Sequence, residues 1–280
     1  MCLLYRRSLL GFLHSIVASK ARTTSHDGAV PKTSSLTTCV STGSTNDATS
    51  ESYVRECWRR ADAVCFDVDS TVCQDEGIDE LARYMGMGEQ VAAATRAAMN
   101  GKVSFRQALV ERLRIIQPSR DDIERYTMEH GPKLTPGIYE LVNRLKARGT
   151  ALYLVSGGFK SLIEPVAERL NLPKSHIFAN EIFFDSNGEY AGFDAKQPTS
   201  DSGGKAAVCA LLKKRHHYRC LVMVGDGATD MEACPPADAF IGFGANQVRT
   251  SVLQGAKWFV HSFQELTQEL DKTNEEEQED

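Results

Sequence analysis

Two carboxylates close an apolar run in VCFDVDST (64–71): Asp67 and Asp69 stand two residues apart, a spacing that aims both to one side of an extended chain. Asp226 and Asp230 end a second such run in CLVMVGDGATD (220–230), and Ser156-Gly157-Gly158 ends a third in ALYLVSGG (151–158). Lys205 follows Ser202-Gly203-Gly204, where a helix is expected to open. Like charges about 4 Å apart repel by roughly 4 kcal/mol at an effective dielectric near 20. Gathering Asp67, Asp69 and Asp226 therefore demands a cation or a raised pKa. An all-oxygen site with open positions suits Mg²⁺, which keeps waters and takes phosphate oxygens as ligands. Lys205 and the N–H groups of Ser156, Gly157 and Gly158 are the positive partners that an anionic phosphate needs. Singly, each of these residues is equally an ordinary cap or turn residue. Jointly they point to metal-assisted phosphoryl chemistry.

The elements that must position them alternate. AVCFD (63–67), ALYLVS (151–156), CLVMVGD (220–226), AFIGFG (239–244) and KWFV (257–260) read as buried parallel strands. Helical patterns lie between them. The one over 136–148 is expected to take Thr135 as N-cap, Pro136 at its first position and Gly149 beyond its end. NGEYAGF (187–193) reads as a hairpin turn at Asn187-Gly188 in a small antiparallel excursion. Strand–helix alternation implies an α/β fold, a doubly wound and mostly parallel sheet whose ligands bind beyond the carboxyl ends of the strands. Residues 78–130 break the alternation with helical patterns alone, too long for a crossover, and read as an inserted helical cap. The expected organisation is a catalytic core over 51–77 and 131–270, the cap over 78–130, a separate arm over 1–50 and an acidic tail over 271–280.

Over its 280 residues the chain carries a formal charge of −5, with its basic residues scattered. Neither nucleic acid nor an anionic membrane is the partner this suggests. Its eight cysteines form no CxxC pair, which fits a reducing compartment better than a disulfide framework. The longest apolar stretch, 8–18, carries His14 and is too short to span a bilayer. The arm holds Arg6, Arg7, Lys20, Arg22 and Lys32 against Asp27 and Asp47, and is rich in Ser and Thr. Three readings stay open: a mitochondrial or plastid transit peptide, a plain cytoplasmic extension, or a secretory signal.

FDVDST (66–71), LVSGG (154–158), Lys205 and GDGATD (225–230) resemble, in this order, the four motifs of the haloacid dehalogenase-like phosphatases. DEGIDELA, AMNGKVSF, RLRIIQPS, GEYAGFD and GDGATDMEACPPADAFIGFG extend the resemblance over nearly all of 60–265, toward the branch that hydrolyses O-phospho-L-serine in the last step of serine synthesis. The resemblance implies a Rossmann-like core and Mg²⁺, held by the side chains of Asp67 and Asp226 with the main-chain carbonyl of Asp69. It makes Asp67 the nucleophile that becomes an aspartyl-phosphate and Asp69 the general acid and base. Ser156, Gly157, Gly158 and Lys205 would hold the phosphoryl oxygens, with Thr229 and Asp230 in support.

Substrate choice falls to the cap. In SFRQALVERLRIIQP (104–118), Ser104 and Gln107 fit a capping box, and Arg112 stands on the apolar stripe of Phe105, Leu109, Leu113 and Ile116. A cation there is snorkelling or paired. The resemblance instead assigns Arg112 to the substrate carboxylate, Glu76 to its ammonium, and Met99 and Asn100 to the serine pocket. Where the family pattern has Gly-Gly after Met99, this chain has Asn100-Gly101; Asn is the next residue most tolerant of positive φ, so a modest effect on affinity is expected. His216-His217, in a basic helix end, is explained by the helix dipole and not by a metal. Two alternatives remain: a phosphatase for another small phosphate ester, which needs no Glu76–Arg112 pair, and a non-catalytic binding protein, which predicts damaged motifs. The oligomeric state, monomer or homodimer, stays open.

Overall fold

Strands buried on both faces must be apolar throughout, and the chain supplies such runs at the spacing that parallel crossovers need. The computed structural model describes residues 50–100 and 103–276. The elements are α1 (Glu51–Arg59), β1 (Ala63–Phe66), α2 (Gly77–Tyr84), α3 (Gly88–Asn100), α4 (Phe105–Ile116), α5 (Arg120–Glu129), α6 (Ile138–Ala147), β2 (Ala151–Phe159), α7 (Lys160–Arg169), β3 (Ile177–Asn180), β4 (Ile182–Phe184), β5 (Tyr190–Phe193), α8 (Gly204–His216), β6 (Leu221–Gly225), α9 (Ala228–Met231), β7 (Ala239–Phe243), α10 (Thr250–Gly255), β8 (Trp258–Val260) and α11 (Phe263–Glu276).

Six strands form a parallel sheet in the order β3-β2-β1-β6-β7-β8. β1 and β6 are neighbours, with Phe66 in register with Val224, so Asp67 and Asp226 leave the same edge side by side. One apolar cluster, including Trp58, Leu141, Phe243 and Phe263, covers one face; a second, around Val208, Leu212 and Met223, covers the other. Trp58 is fully buried and its Nε1 donates to the Leu266 carbonyl (2.9 Å), which anchors α1 to α11. Between β1 and β2 come only helices, α2 to α6. The apolar faces of the helices before α6 (Leu81, Leu109, Leu113, Ile116, Ile123) form a third cluster closed by Phe159 at the end of β2.

Several sequence expectations change in detail. The helix expected over 136–148 begins at Ile138 behind Gly137, whose φ is +86°. Thr135 does not cap it with its hydroxyl, which instead donates to the Thr71 carbonyl (2.7 Å) and ties the loop after β1 to this segment. The expected hairpin turn around Asn187-Gly188 is present, with Gly188 at φ +85° and β4 paired antiparallel to β5. The sheet's edge strand β3 was not anticipated, because four residues, IFAN, carry too little pattern. The capping box of Ser104 and Gln107 is formed. α11 runs through Glu276, so residues 271–276 are helical, with Asp271 paired to Arg144 (2.8 Å). The arm readings, and residues 277–280, lie outside the described residues.

Candidate active site

The chain leaves β1 through a tight turn that no regular element explains. Asp67 and Asp69 are extended (φ −64° and −65°), but Ser70 between them and the next helix takes φ +56°, a strained value for a residue with a Cβ. The turn is held from several sides. Asn246 Nδ2 donates to the Ser70 carbonyl (3.0 Å) and to Thr135 Oγ1 (2.7 Å), and Ser70 Oγ donates to Glu76 Oε1 (2.8 Å). The consequence is that Asp67 and Asp69 both face one cavity.

That cavity, of about 320 Å³, is lined by Asp67, Asp69, Glu76, Arg112, Gly157, Gly158, Lys205, Asp226, Thr229 and Arg249, with Ile78, Phe105, Leu109 and Phe159 as its apolar wall. It lies where the carboxyl ends of β1, β2 and β6 meet the helices of the 78–130 segment. Ser156 is fully buried at its margin and donates to Asp69 Oδ2 (3.0 Å), while Gly77 N–H donates to Asp69 Oδ1 (2.7 Å). The Gly158 N–H is turned to Ser156 Oγ (2.8 Å), so that donor serves the Ser156–Asp69 contact. A Cβ on Gly157 would lie 2.6 Å from the Phe105 ring, and one on Gly158 would lie 3.0 Å from Asp69 Oδ2. A side chain would displace the Phe105 ring at the first position and crowd Asp69 at the second.

Lys205 enters from the first turn of α8. Its Nζ lies 2.8 Å from Asp67 Oδ1 and 2.5 Å from Asp230 Oδ1. Burial works to lower the Lys205 pKa, but Asp230 and Asp67 outweigh it and hold the ammonium above its usual value. Asp230 reaches it because α9 starts immediately after β6: at the third position of that helix, Asp230 accepts the Gly227 N–H through Oδ2 (2.9 Å). This is the helical start at the loop on which a shared face for Asp226 and Asp230 depends.

Electrostatically the cluster is costly. Burial, followed by the Asp67 charge, pushes the carboxyls of Asp69, Asp226 and Asp230 up. Burial and Asp69 push Glu76 up to about 7. Arg249 offsets part of this: its Nε donates to Asp226 Oδ2 (2.8 Å) and its Nη2 to Glu76 Oε1 (3.2 Å). Thr71 Oγ1 donates to Asp226 Oδ1 (3.2 Å). Carboxylate oxygens of Asp67, Asp226 and Asp230 lie within 4.8 Å of one another, all on buried residues. A set of hard oxygen donors whose charged forms are strained by burial fits a small divalent cation. The Asp69 side chain is not among the three; it is committed to Gly77 and Ser156.

Of the residues singled out by sequence, Asp67, Asp69, Glu76, Arg112, Gly157, Gly158, Lys205, Asp226 and Thr229 line this cavity, and Ser156 and Asp230 buttress it. The Arg112 Nε donates to the Ala108 carbonyl (3.3 Å), and no carboxylate is paired with it in the described hydrogen bonds. The side chains of Met99 and Asn100 lie outside the described residues. Sequence reading missed Arg249 and Asn246. Both lie in the loop beyond the carboxyl end of β7, so the strand-end rule that found Asp226 would have reached them if it had been applied to a fourth strand.

Comparison with known proteins places this arrangement. The family model described as haloacid dehalogenase-like hydrolase matches residues 61–238. The chain is 55% identical to phosphoserine phosphatase of Rattus norvegicus over 80% of this chain and 99% of that protein. It is 47% identical to the chloroplastic phosphoserine phosphatase of Arabidopsis thaliana over 78% of this chain and 75% of that one. Among solved structures, a phosphoserine phosphatase carrying a phospho-aspartyl intermediate analogue is similar at a TM-score of 0.64 and 28% identity, over 74% of this chain and 97% of that chain. The chain belongs to the haloacid dehalogenase-like hydrolases and, within them, to the phosphoserine phosphatase family.

Proposed function

We propose that the cavity hydrolyses O-phospho-L-serine to L-serine and phosphate, the final step of serine synthesis, with Mg²⁺ as cofactor and Asp67 as the nucleophile. One observation carries the reading: the cavity that holds Asp67, Asp69 and Lys205 also presents Glu76 and Arg112, opposite charges suited to the ammonium and carboxylate of an amino acid.

Asp67 attacks phosphorus through its side-chain carboxylate, which Lys205 Nζ holds at 2.8 Å. The P–O bond to serine breaks as Asp69 gives its proton to the leaving oxygen. Burial and the neighbouring Asp67 charge raise the Asp69 pKa, which suits a carboxyl that must carry this proton. Asp69 then takes a proton from the water that attacks the aspartyl-phosphate, and Asp67 is released. Lys205 and the Ser156-Gly157-Gly158 segment bind the phosphoryl group, and Thr229 lines the same wall. Mg²⁺, held by Asp67 and Asp226 with the Asp69 carbonyl, and with Asp230 close by, would neutralise phosphoryl charge. Met99 and Asn100 complete the serine pocket. The helices of 78–130 act as a lid on the core, hinged near Gly77 and Gly131. We further infer that residues 1–50 direct the chain to an organelle, a reading supported by the arm's basic, hydroxyl-rich composition and by the chloroplastic relative; a reporter fused to 1–50 that stays in the cytosol would refute it.

The test is phosphate release from L-phosphoserine, D-phosphoserine, phosphothreonine, glycerol phosphate and a nucleoside monophosphate, each with Mg²⁺ and with chelator. A chelator-sensitive preference for L-phosphoserine is expected. Mg²⁺-dependent release without preference would keep the chemistry and remove the substrate assignment. Silence across the panel would overturn both.

A further inference from the structure

The opposite end of the sheet holds chemistry that the phosphatase reading does not use. Six cysteines of the described residues are free thiols, and four of them form two hydrogen-bonded pairs, Cys57 with Cys220 and Cys65 with Cys209. The pairs sit in different surroundings. Cys65 and Cys209 are fully buried in the apolar cluster between β1, β6 and α8, and burial with the neighbouring thiol pushes the Cys65 pKa well up. Cys220, just ahead of β6, lines a surface cavity of about 320 Å³ together with Arg60, Asp62 and Arg219. Its Sγ donates to the Cys57 carbonyl at the end of α1 (3.3 Å).

The groups facing this second pair favour a thiolate. From α1 and its C-cap come the Tyr53 hydroxyl and the Arg60 guanidinium, both hydrogen-bonded to the Cys57 thiol, and from the position ahead of β6 comes Cys220 itself. Asp238, ahead of β7, is the opposing charge, and Lys213 holds it at 2.6 Å. Against the cost of burial, the Cys220 hydrogen bond first and then Tyr53 and Arg60 bring Cys57 down to about 6. A buried thiolate beside a cation, in contact with a second thiol that lines a surface cavity, is the environment of a redox-reactive pair.

We propose that Cys57 and Cys220 are a site of reversible oxidation, closing a disulfide between α1 and β6 when the protein meets a hydroperoxide. The thiolate of the pair attacks a peroxide oxygen; the O–O bond breaks, a sulfenic acid forms and, with one proton, the first water leaves. The other thiol, as its sulfur attacks, gives its proton to the departing hydroxide, so a second water leaves and the S–S bond forms. Two thiols lose two electrons and two protons, and one hydrogen peroxide becomes two waters. A dithiol reverses the reaction by exchange.

The test uses the full chain, reduced and then treated with a small excess of hydrogen peroxide. Remaining thiols are alkylated after unfolding, and the peptides are mapped without reduction. Two thiols per chain should disappear into one peptide pair linking Cys57 to Cys220, and dithiothreitol should restore both. Cys65, Cys209 and Cys234 should stay alkylatable. In Cys57→Ser and in Cys220→Ser the link should vanish. Iodoacetamide should modify the native pair with a midpoint below the roughly 8.5 of a free thiol, the direction in which Cys220, Tyr53 and Arg60 move Cys57. A link involving Cys2, Cys39 or Cys65, a wild-type chain that loses no thiols, or an alkylation midpoint near 8.5 would overturn the proposal. Mapping of the wild-type chain decides the matter even where a Ser variant fails to fold.

Discussion

The two ends of the central sheet carry opposite charge, and they carry it at very different cost. At the carboxyl ends of the strands, five carboxylates (Asp67, Asp69, Glu76, Asp201, Asp226) meet three cations (Arg112, Lys205, Arg249) around one cavity. At the amino ends, Arg59, Arg60, Arg148 and Arg219 surround a cleft of about 650 Å³ with Asp62 as its one acid. The basic end is ordinary. α1, α6 and α8 all finish there, and cations complement the negative ends of their dipoles in contact with water. The acidic end is not ordinary: Asp67, Asp226, Asp230 and Lys205 are buried, Ser70 is strained, and four carboxyls have pKa values raised by burial. Charge that costs stability points to function, and charge in contact with solvent does not. The exception at the basic end is the one buried thiol pair that its arginines reach.

That contrast can be broken by substitution. The largest effect is expected from Asp67→Asn, which keeps shape and removes the proposed nucleophile: turnover of phosphoserine should fall by at least about 10³-fold, measured by phosphate release. Near-normal turnover would sink the covalent mechanism. Lys205→Ala should come next, because it leaves Asp67 and Asp230 buried without their cation. About 3–5 kcal/mol of stability should be lost, read by denaturant unfolding, and a loss below 1 kcal/mol would mean that the buried pair is not the constraint we describe.

Arg112→Ala should raise KM for phosphoserine about 10- to 100-fold, the range for hydrogen bonds to a charged partner, while leaving glycerol phosphate release unchanged. An equal effect on both substrates would remove Arg112 from carboxylate recognition. A smaller effect should follow pH. With a pKa of about 7, Glu76 is anionic above that value and neutral below it. KM for phosphoserine should therefore rise severalfold as pH falls through 7, and Glu76→Gln should flatten this dependence at a uniformly higher KM. At the other pole, Arg219→Ala removes an exposed cation and should change stability by no more than about 0.5 kcal/mol with turnover unaltered. A large loss there would mean that the basic end carries more than helix-terminal charge.

Local pattern carried much of this. Short apolar runs marked five of the six parallel strands, because a strand buried on both faces has few polar positions to spare. β3 escaped because IFAN is too short to stand out. Carboxylates at the ends of such runs marked Asp67, Asp69 and Asp226, since a charge beside a core strand needs a partner. Thr135 was misjudged as a helix cap because its hydroxyl is taken by Thr71, a partner 64 positions away. Arg249 was missed for the same reason: it is 23 residues beyond Asp226 and 173 beyond Glu76, distances at which no periodicity speaks.

Sequence alone thus determined most of the elements that form and which strand ends carry the carboxylates, because propensity, burial pattern and motif order are local properties. Tertiary structure decided the pairing: Lys205 between Asp67 and Asp230, Arg249 between Asp226 and Glu76, and Cys57 against Cys220 rather than one of the other cysteines. Those choices depend on the order in which parallel strands lie side by side, and that order is set by how the helices pack on the two faces of the sheet.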